Sequence, residues 1–293
     1  MTTLELAEDF ASMQTSSETQ RAYRRDLLKW LDFAGPEPLT GDLVTRFKRW
    51  LEETLSPNSA ARTWGTVKTF YRYASQREGR YEPTPFDYIK APKRPTGVTP
   101  KVPTDADVEL LLSEARMDPR QHIVVALLLN GLRAGEVAAM KVEDVETHDV
   151  DGAATIMLRV NGKGRKQRLV PANFESINAI GRWGSQSDMD SAWLVHDYNG
   201  SPLSVRQVEE SVYKAAREAD IEGMHPHALR HHYATRLVKA GASPLHVQQL
   251  LGHANVSTTM VYVTLDVKDL VKASRLDPMD ERRISEVKER LSA

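Results

Sequence analysis

The sequence predicts a mainly α-helical protein of two domains: an N-terminal helical bundle, then a mostly helical domain holding a small antiparallel β-sheet. Three observations predict it: apolar residues recur at helical spacing through most of the chain, a proline-rich break divides these segments into two sets, and a single stretch reads as a hairpin. The 293 residues are enough for two separate cores. A hydrophobic fraction of 41% and a charged fraction of 27% are those of an ordinary globular protein and exclude fibrous and disordered classes. The longest apolar run, Ile123 to Leu129, is far short of the roughly 18 to 20 residues that span a bilayer. The start, MTTLELAEDF, lacks the basic and apolar regions of a signal peptide. The expectation is a cytoplasmic protein with no membrane association.

In chain order, Ser17 and Gln20 suggest a capping box opening a helix over 17–34, with Tyr23, Leu27, Trp30, Leu31 and Ala34 on one face before Gly35-Pro36 stops it. Leu43, Val44, Phe47, Trp50 and Leu51 mark a second helix over about 41–54. Ser56-Pro57 starts a third, with Trp64, Val67, Phe70, Tyr71 and Ala74 on one face and Arg62, Lys68, Arg72 and Arg77 largely on another. Six prolines between Glu82 and Pro103 then forbid a long helix, and 91–103 reads as a basic linker.

The second domain opens at Thr104, with Asp107 three residues on. The run Ile123–Leu129 is predicted to be a fully buried helix stopped by Asn130-Gly131, and Arg133 and Glu136 follow at the entry to the next one. Residues 154–171 read as two strands around the turn Gly162-Lys163-Gly164. Helices are predicted over 173–184, 204–219 and 227–239; Ser243-Pro244 begins a shorter one ended by Gly252, and Ser257-Thr258 begins another carrying Tyr262.

The absence of cysteine excludes a disulfide framework, a thiolate zinc site and a cysteine nucleophile. With a net charge of −1, an affinity for nucleic acid has to rest on local concentrations of charge. Two windows provide them: Arg62 to Lys101 holds nine Lys/Arg against three Asp/Glu, and Arg159 to Arg168 holds five basic residues and no acid. Either could track a phosphate backbone or be a plain solvated face.

The stretch from His225 to Tyr262 concentrates groups suited to chemistry. His227 and Arg230 lie one helical turn apart, His253 follows Gly252, and Tyr262 comes nine residues later. His227 and His231 have the i, i+4 spacing of zinc proteases, but position 228 is Ala where such a site needs its glutamate base, so a metal centre is not expected. A helix-turn-helix over 244–260 would offer only Thr258, Thr259 and Met260 as readers, with no Arg or Lys to reach a base. Of the competing phenols, Tyr233 lies on an apolar helix face, and Tyr198 and Tyr213 lack the spacing from His253.

Taken jointly, Leu132-Arg133-Ala134-Gly135-Glu136, Gly162-Lys163-Gly164-Arg165-Lys166-Gln167-Arg168 with Val170-Pro171, His227-Ala228-Leu229-Arg230-His231, Leu251-Gly252-His253 and Tyr262 resemble the tyrosine recombinases, the family of phage integrases and Xer-type site-specific recombinases. The resemblance covers about 104–265 with specific motifs and the N-terminal helices by general layout. It implies Tyr262 as nucleophile, Arg133, Arg230 and His253 as ligands of the phosphate, Lys163 as general acid, His227 as proton acceptor and Glu136 as the residue that orients the basic side chains. It also implies a core-type DNA-binding domain over 1–90, the linker 91–103, and a catalytic domain over 104–293 with a C-terminal tail from about 265. Arg62, Lys68, Arg72, Lys93, Arg94, Arg165, Lys166 and Arg168 are the expected DNA-backbone contacts.

On this resemblance the expected activity is site-specific recombination through a 3′-phosphotyrosyl intermediate, without metal, ATP or other cofactor. Expected partners are double-stranded attachment or core-type sites, a homo-tetramer in the synaptic complex, and an accessory DNA-bending or directionality factor. A first helix near Ser17 leaves no room for an arm-binding domain, which resembles the two-domain Xer layout; integration of phage or mobile-element DNA is nevertheless the expected role. The alternatives are Xer-type dimer resolution, type IB topoisomerase-like activity and a non-enzymatic architectural DNA-binding protein.

Overall fold

The computed structural model describes residues 3–14, 16–77, 83–93, 102–162, 167–187, 191–252 and 267–277. The chain divides into two compact units, Met1–Thr99 and Pro100–Ala293.

The first unit is helical: α1 (Thr3–Ser12), α2 (Ser17–Ala34), α3 (Gly41–Thr54), α4 (Pro57–Arg77) and the single turn α5 (Pro85–Tyr88). Its core is aromatic. Trp30 of α2 meets Phe47 edge-on at 4.7 Å and Phe86 at 5.4 Å, and its indole N–H donates to the Tyr71 hydroxyl at 3.0 Å. The buried Trp30 indole thus finds a polar partner as well as ring neighbours. The cap of α2 is one residue earlier than the sequence reading placed it: Ser16, in extended conformation, accepts from Thr19 N. The helix α1, in which Leu6 and Phe10 sit one turn apart on the core side, was absent from that reading.

Asp26 of α2 is fully buried and is met by Arg62 through two hydrogen bonds of 3.0 Å, by Thr63 Oγ1 at 3.1 Å and by Thr66 Oγ1 at 3.4 Å. A carboxylate out of water requires such partners. Arg62 is therefore a strut between α4 and α2, although its side chain keeps 45% exposure. Lys68 and Arg72 likewise reach Asp87, at 3.1 and 3.9 Å. Asp87 closes the start of α5 by accepting from Thr84 N, which with Lys68 holds its carboxyl below the usual range. The basic face of α4 thus comes with its own acids, and Lys93 is exposed on the chain beyond α5.

The second unit contains α6 (Asp105–Ala115), α7 (Pro119–Leu129), α8 (Ala134–Ala138), β1 (Val145–Val150), β2 (Ala153–Asn161), β3 (Gln167–Pro171), α9 (Phe174–Gln186), α10 (Val205–Glu218), α11 (Pro226–Lys239), α12 (Pro244–Leu251) and α13 (Val267–Arg275). Thr104 and Asp107 cap α6 reciprocally. Every residue from Gln121 to Leu129 of α7 is buried, so α7 is the axis around which the unit is built. The sheet is antiparallel in order β1-β2-β3, with Val145 opposite Leu158 and Leu158 opposite Val170. The hairpin of β2 and β3 lies where the sequence placed it. The edge strand β1 adds a third strand, turning into β2 through Asp151 and Gly152, both at positive φ.

Candidate active site

Where α7 ends, Gly131 adopts φ +86°, and a Cβ there would stand 2.7 Å from the Tyr233 ring. Tyr233 is 1% exposed and fills that notch, so it is a core residue. Two residues later Arg133 is the N-cap of α8. Glu136, one turn on, reaches back to accept from Arg133 N at 2.8 Å and from Arg133 Nη1 at 2.7 Å. The short helix α8 therefore fixes Arg133 and Glu136 as a unit.

Arg230 arrives from α11, whose N-cap is His225: its Nδ1 accepts from Ala228 N at 3.2 Å. The Arg230 guanidinium donates to Gly131 O and Leu251 O, both at 2.5 Å, and stands 4.0 Å from the Glu136 carboxylate. His227, one turn earlier on the same helix, is exposed. From the sheet comes Arg168 on β3, whose Nη1 and Nη2 each donate to one oxygen of Glu136 at 2.8 Å and whose Nε donates to Leu250 O at 2.8 Å.

The helix α12 ends at Gly252, in the left-handed region at φ +64°. Its last carbonyls have no helical partners, and three consecutive ones are taken by three arginines: Leu250 O by Arg168, Leu251 O by Arg230, and Gly252 O by Arg133 Nη2 at 2.9 Å. Cations at a helix C-terminus satisfy orphan acceptors and the negative end of the dipole together. The next residue in the chain is His253.

Three guanidiniums thus converge on one carboxylate, leaving an excess of positive charge. Burial works to raise the Glu136 carboxyl, but pairing with Arg168 and Arg133 outweighs it and holds the carboxyl below its ordinary value. Burial, reinforced by Arg133 and Arg168, pushes the Arg230 guanidinium down to about 9, and Glu136 opposes that shift. At neutral pH Arg230 remains a cation, and an arriving anion would favour its charged form further. Desolvation, then the charges of Arg230, His225, His231 and Arg133, lowers His227, so its imidazole is mainly neutral at neutral pH.

Of the residues singled out in the sequence, Arg133, Glu136, Arg168 and Arg230 come together in direct contact, with His227 one turn from Arg230. Arg168 was expected as a DNA-backbone contact, but its side chain is only 13% exposed and its fork is engaged by Glu136. Nothing in the run of basic residues before it separated this inward arginine from outward ones. Lys163, His253 and Tyr262, and the expected DNA contacts Arg94, Arg165 and Lys166, lie outside the described residues. Tyr198 is 85% exposed beneath the Arg120 guanidinium, 4.5 Å from the ring centroid. Among the described residues, no group of three or more His, Asp or Glu side chains is arranged to hold a metal ion, and no helix is long and apolar enough to cross a membrane.

Residues 103–269 match the model of the phage integrase family, and residues 9–78 match that of the phage integrase N-terminal SAM-like domain. Tyrosine recombinase XerC of Chromobacterium violaceum is 33% identical over 276 residues, covering 90% of each chain. Tyrosine recombinase XerC of Pseudomonas entomophila is 31% identical over 274 residues, covering 88% of each. In fold the chain is similar to a lambda integrase (residues 75–356) dimer bound to a COC′ core site, with a TM-score of 0.70 at 19% identity over 91% of this chain and 98% of that one. It is also similar to a lambda integrase tetramer bound to a Holliday junction, again with a TM-score of 0.70, at 19% identity over 87% and 74% of the two chains. Matched over more than half its length by the family model and over nine-tenths by a relative 33% identical, the chain belongs to the phage integrase family and is a tyrosine recombinase, an enzyme that cleaves and rejoins DNA strands.

Proposed function

We propose that Tyr262 is the nucleophile and that Arg133, Arg230 and His253 hold the phosphodiester it attacks. The phenolic oxygen bonds to phosphorus, the bond to the 5′-oxygen breaks, and the strand is left as a 3′-phosphotyrosyl ester with a free 5′-hydroxyl. Lys163 supplies the proton to the departing 5′-oxygen, a contribution of about 10²- to 10⁴-fold in general-acid catalysis. His227, neutral at neutral pH, takes the phenol proton. Attack by a 5′-hydroxyl of the second strand reverses the step and releases Tyr262, so the ester stores the bond energy and no nucleotide is consumed. Guanidinium suits the clamp because its planar fork meets two phosphate oxygens and it stays charged. Fixed charges of this kind supply what a metal would otherwise supply.

The observation that carries this reading is the convergence of Arg133 and Arg230 on Glu136 at the end of α12, a charged cluster preorganised for an anion. The domain roles follow: 1–90 grips core-type duplex, 91–103 is a basic linker, and 104–293 carries the chemistry, with the tail from about 265 docking on a neighbouring subunit. The substrate is double-stranded DNA carrying paired sites, the working assembly is a homo-tetramer in the cytoplasm, and an accessory bending or directionality factor sets the outcome.

The motifs do not separate the roles within the family, and XerC relatives 33% and 31% identical favour Xer-type resolution of chromosome or plasmid dimers over the expected integration of phage or mobile-element DNA. The clamp is tested by selecting bound duplexes from a randomised pool and measuring cleavage on a nicked form of the selected site. Arg230→Ala should lose at least 10²-fold in cleavage while binding the duplex within a few-fold of wild type. Cleavage at the wild-type rate would sink the clamp.

A further inference from the structure

We propose that Arg168 is a positioning residue for strand cleavage, which keeps Glu136 from neutralising Arg133 and Arg230 and sets the glycine turn that precedes His253. The inference rests on Arg133 and Arg230 being the phosphate clamp.

Three observations support it. First, Arg168 spends its fork on Glu136, one bond of 2.8 Å to each carboxylate oxygen, in a site where its side chain is 13% exposed. A bidentate guanidinium–carboxylate pair is the strongest arrangement available to either group. Glu136 stands 2.7 Å from Arg133 and 4.0 Å from Arg230, so without Arg168 its whole charge would fall on the two groups that must face the phosphate. With Arg168 in place the cluster is three cations against one anion, and a net positive charge remains for the substrate.

Second, Arg168 Nε donates to Leu250 O at 2.8 Å, the first of the three α12 carbonyls shared among the arginines. Third, the Arg168 side chain lies flat against Gly252: a Cβ there would stand 2.9 Å from Nη1 and 3.1 Å from both Cδ and Cζ. One side chain on β3 thus touches the carboxylate behind the clamp and the last turn of the helix that leads into His253. It lies five residues after Lys163 in sequence.

The competing reading, that Arg168 contacts the DNA backbone, predicts different measurements. The experiment compares wild type, Arg168→Gln, Arg168→Lys, Glu136→Gln and the double variant Arg168→Gln/Glu136→Gln on the nicked selected duplex. Cleavage is measured in single turnover, duplex affinity as a function of salt, and folding by thermal melting. The double variant buries no unpaired carboxylate and is the reference should Arg168→Gln melt too low to assay. Arg168→Gln should lose 10- to 10³-fold in cleavage rate with affinity and salt slope unchanged. Arg168→Lys, which keeps the charge and loses the fork, should fall between it and wild type. Against the Glu136→Gln background the same Arg168→Gln change should cost several-fold less than it does in wild type, because only its hold on the glycine turn is then left to lose. The ratio of the Arg168→Gln rate to the wild-type rate should rise as pH falls, since protonating a Glu136 that pairs only with the clamp arginines frees them, a response that loss of packing would not produce.

A fall in affinity with the salt slope reduced by about 1 would make Arg168 a phosphate contact. Equal losses in both backgrounds, or an unchanged rate per folded molecule, would also overturn the proposal. Normal cleavage by Arg230→Ala would remove the clamp, and this inference with it; the outcomes specific to Arg168 leave the clamp standing.

Discussion

Under the proposed clamp, Arg230 serves fold and chemistry together. It is buried, its guanidinium ties the end of α7 to the end of α12 through Gly131 O and Leu251 O, and it still faces the site. Arg230→Lys keeps a charge but cannot span both carbonyls, so it should lower cleavage by at least 10-fold and also lower the melting temperature, which differential scanning calorimetry would register. The buried titratable groups give a pH signature. His232 is 2% exposed, and burial lowers its imidazole against the opposing hydrogen bond to Pro103 O. A histidine whose folded value lies below its unfolded one leaves stability unaffected above the unfolded value of about 6.5 and erodes it as pH falls below that. Glu136 acts in the same direction at lower pH: its depressed carboxyl contributes stability above the unfolded value and loses it as pH falls through the lower folded one. Stability to urea should therefore fall as pH drops below about 6.5 and fall further through the carboxylate range, and His232→Gln should reduce the first loss while leaving the more acidic one in place.

At the scale of elements, the glycines that end α7 and α12 were legible as helix stops, and the structure adds what each approaches. Gly252→Ala would force a side chain into the left-handed region, at about 1–2 kcal/mol, and into the Arg168 guanidinium. Cleavage should fall together with stability, and hydrogen exchange should show faster opening at the end of α12. The buried helix α7, the hairpin and the caps at Thr104 and Ser243 were also accessible to reading, because local chemistry determines them. Four elements were not, α1 among them. The strand β1, VETHDV, buries only Val150 fully and carries polar residues on both sides, so no period-2 signal stands out. The turn α5 sits inside a proline-rich stretch that reads as extended, yet it puts Phe86 into the aromatic core. The helix α13 packs Val271 against Val150 and Met157, a contact that joins distant parts of the chain. The inward turn of Arg168 belongs with these, since its partners lie 32 and 82 residues away.

For the whole molecule, the two units have separate cores, one aromatic around Trp30 and one aliphatic around α7. Trp30→Ala should cost residues 1–99 about 3–5 kcal/mol while leaving hydrogen-exchange protection of α7 unchanged, which would establish that each core stands on its own. The order of the functional motifs along the chain was readable because the chemistry demands particular residue types. Their convergence was not, since it depends on where α8, β3, α11 and α12 end in space. The central claim is covalent: Tyr262 joins the DNA while the arginines hold the phosphate. The most direct test incubates the protein with the nicked selected duplex in EDTA and without ATP, followed by denaturing electrophoresis and peptide mass spectrometry. The account predicts a denaturation-resistant adduct on the peptide containing Tyr262, with the phosphate at the 3′ end of the strand, and its loss in Tyr262→Phe. An adduct that persists in Tyr262→Phe, or one that maps to another residue, would contradict it.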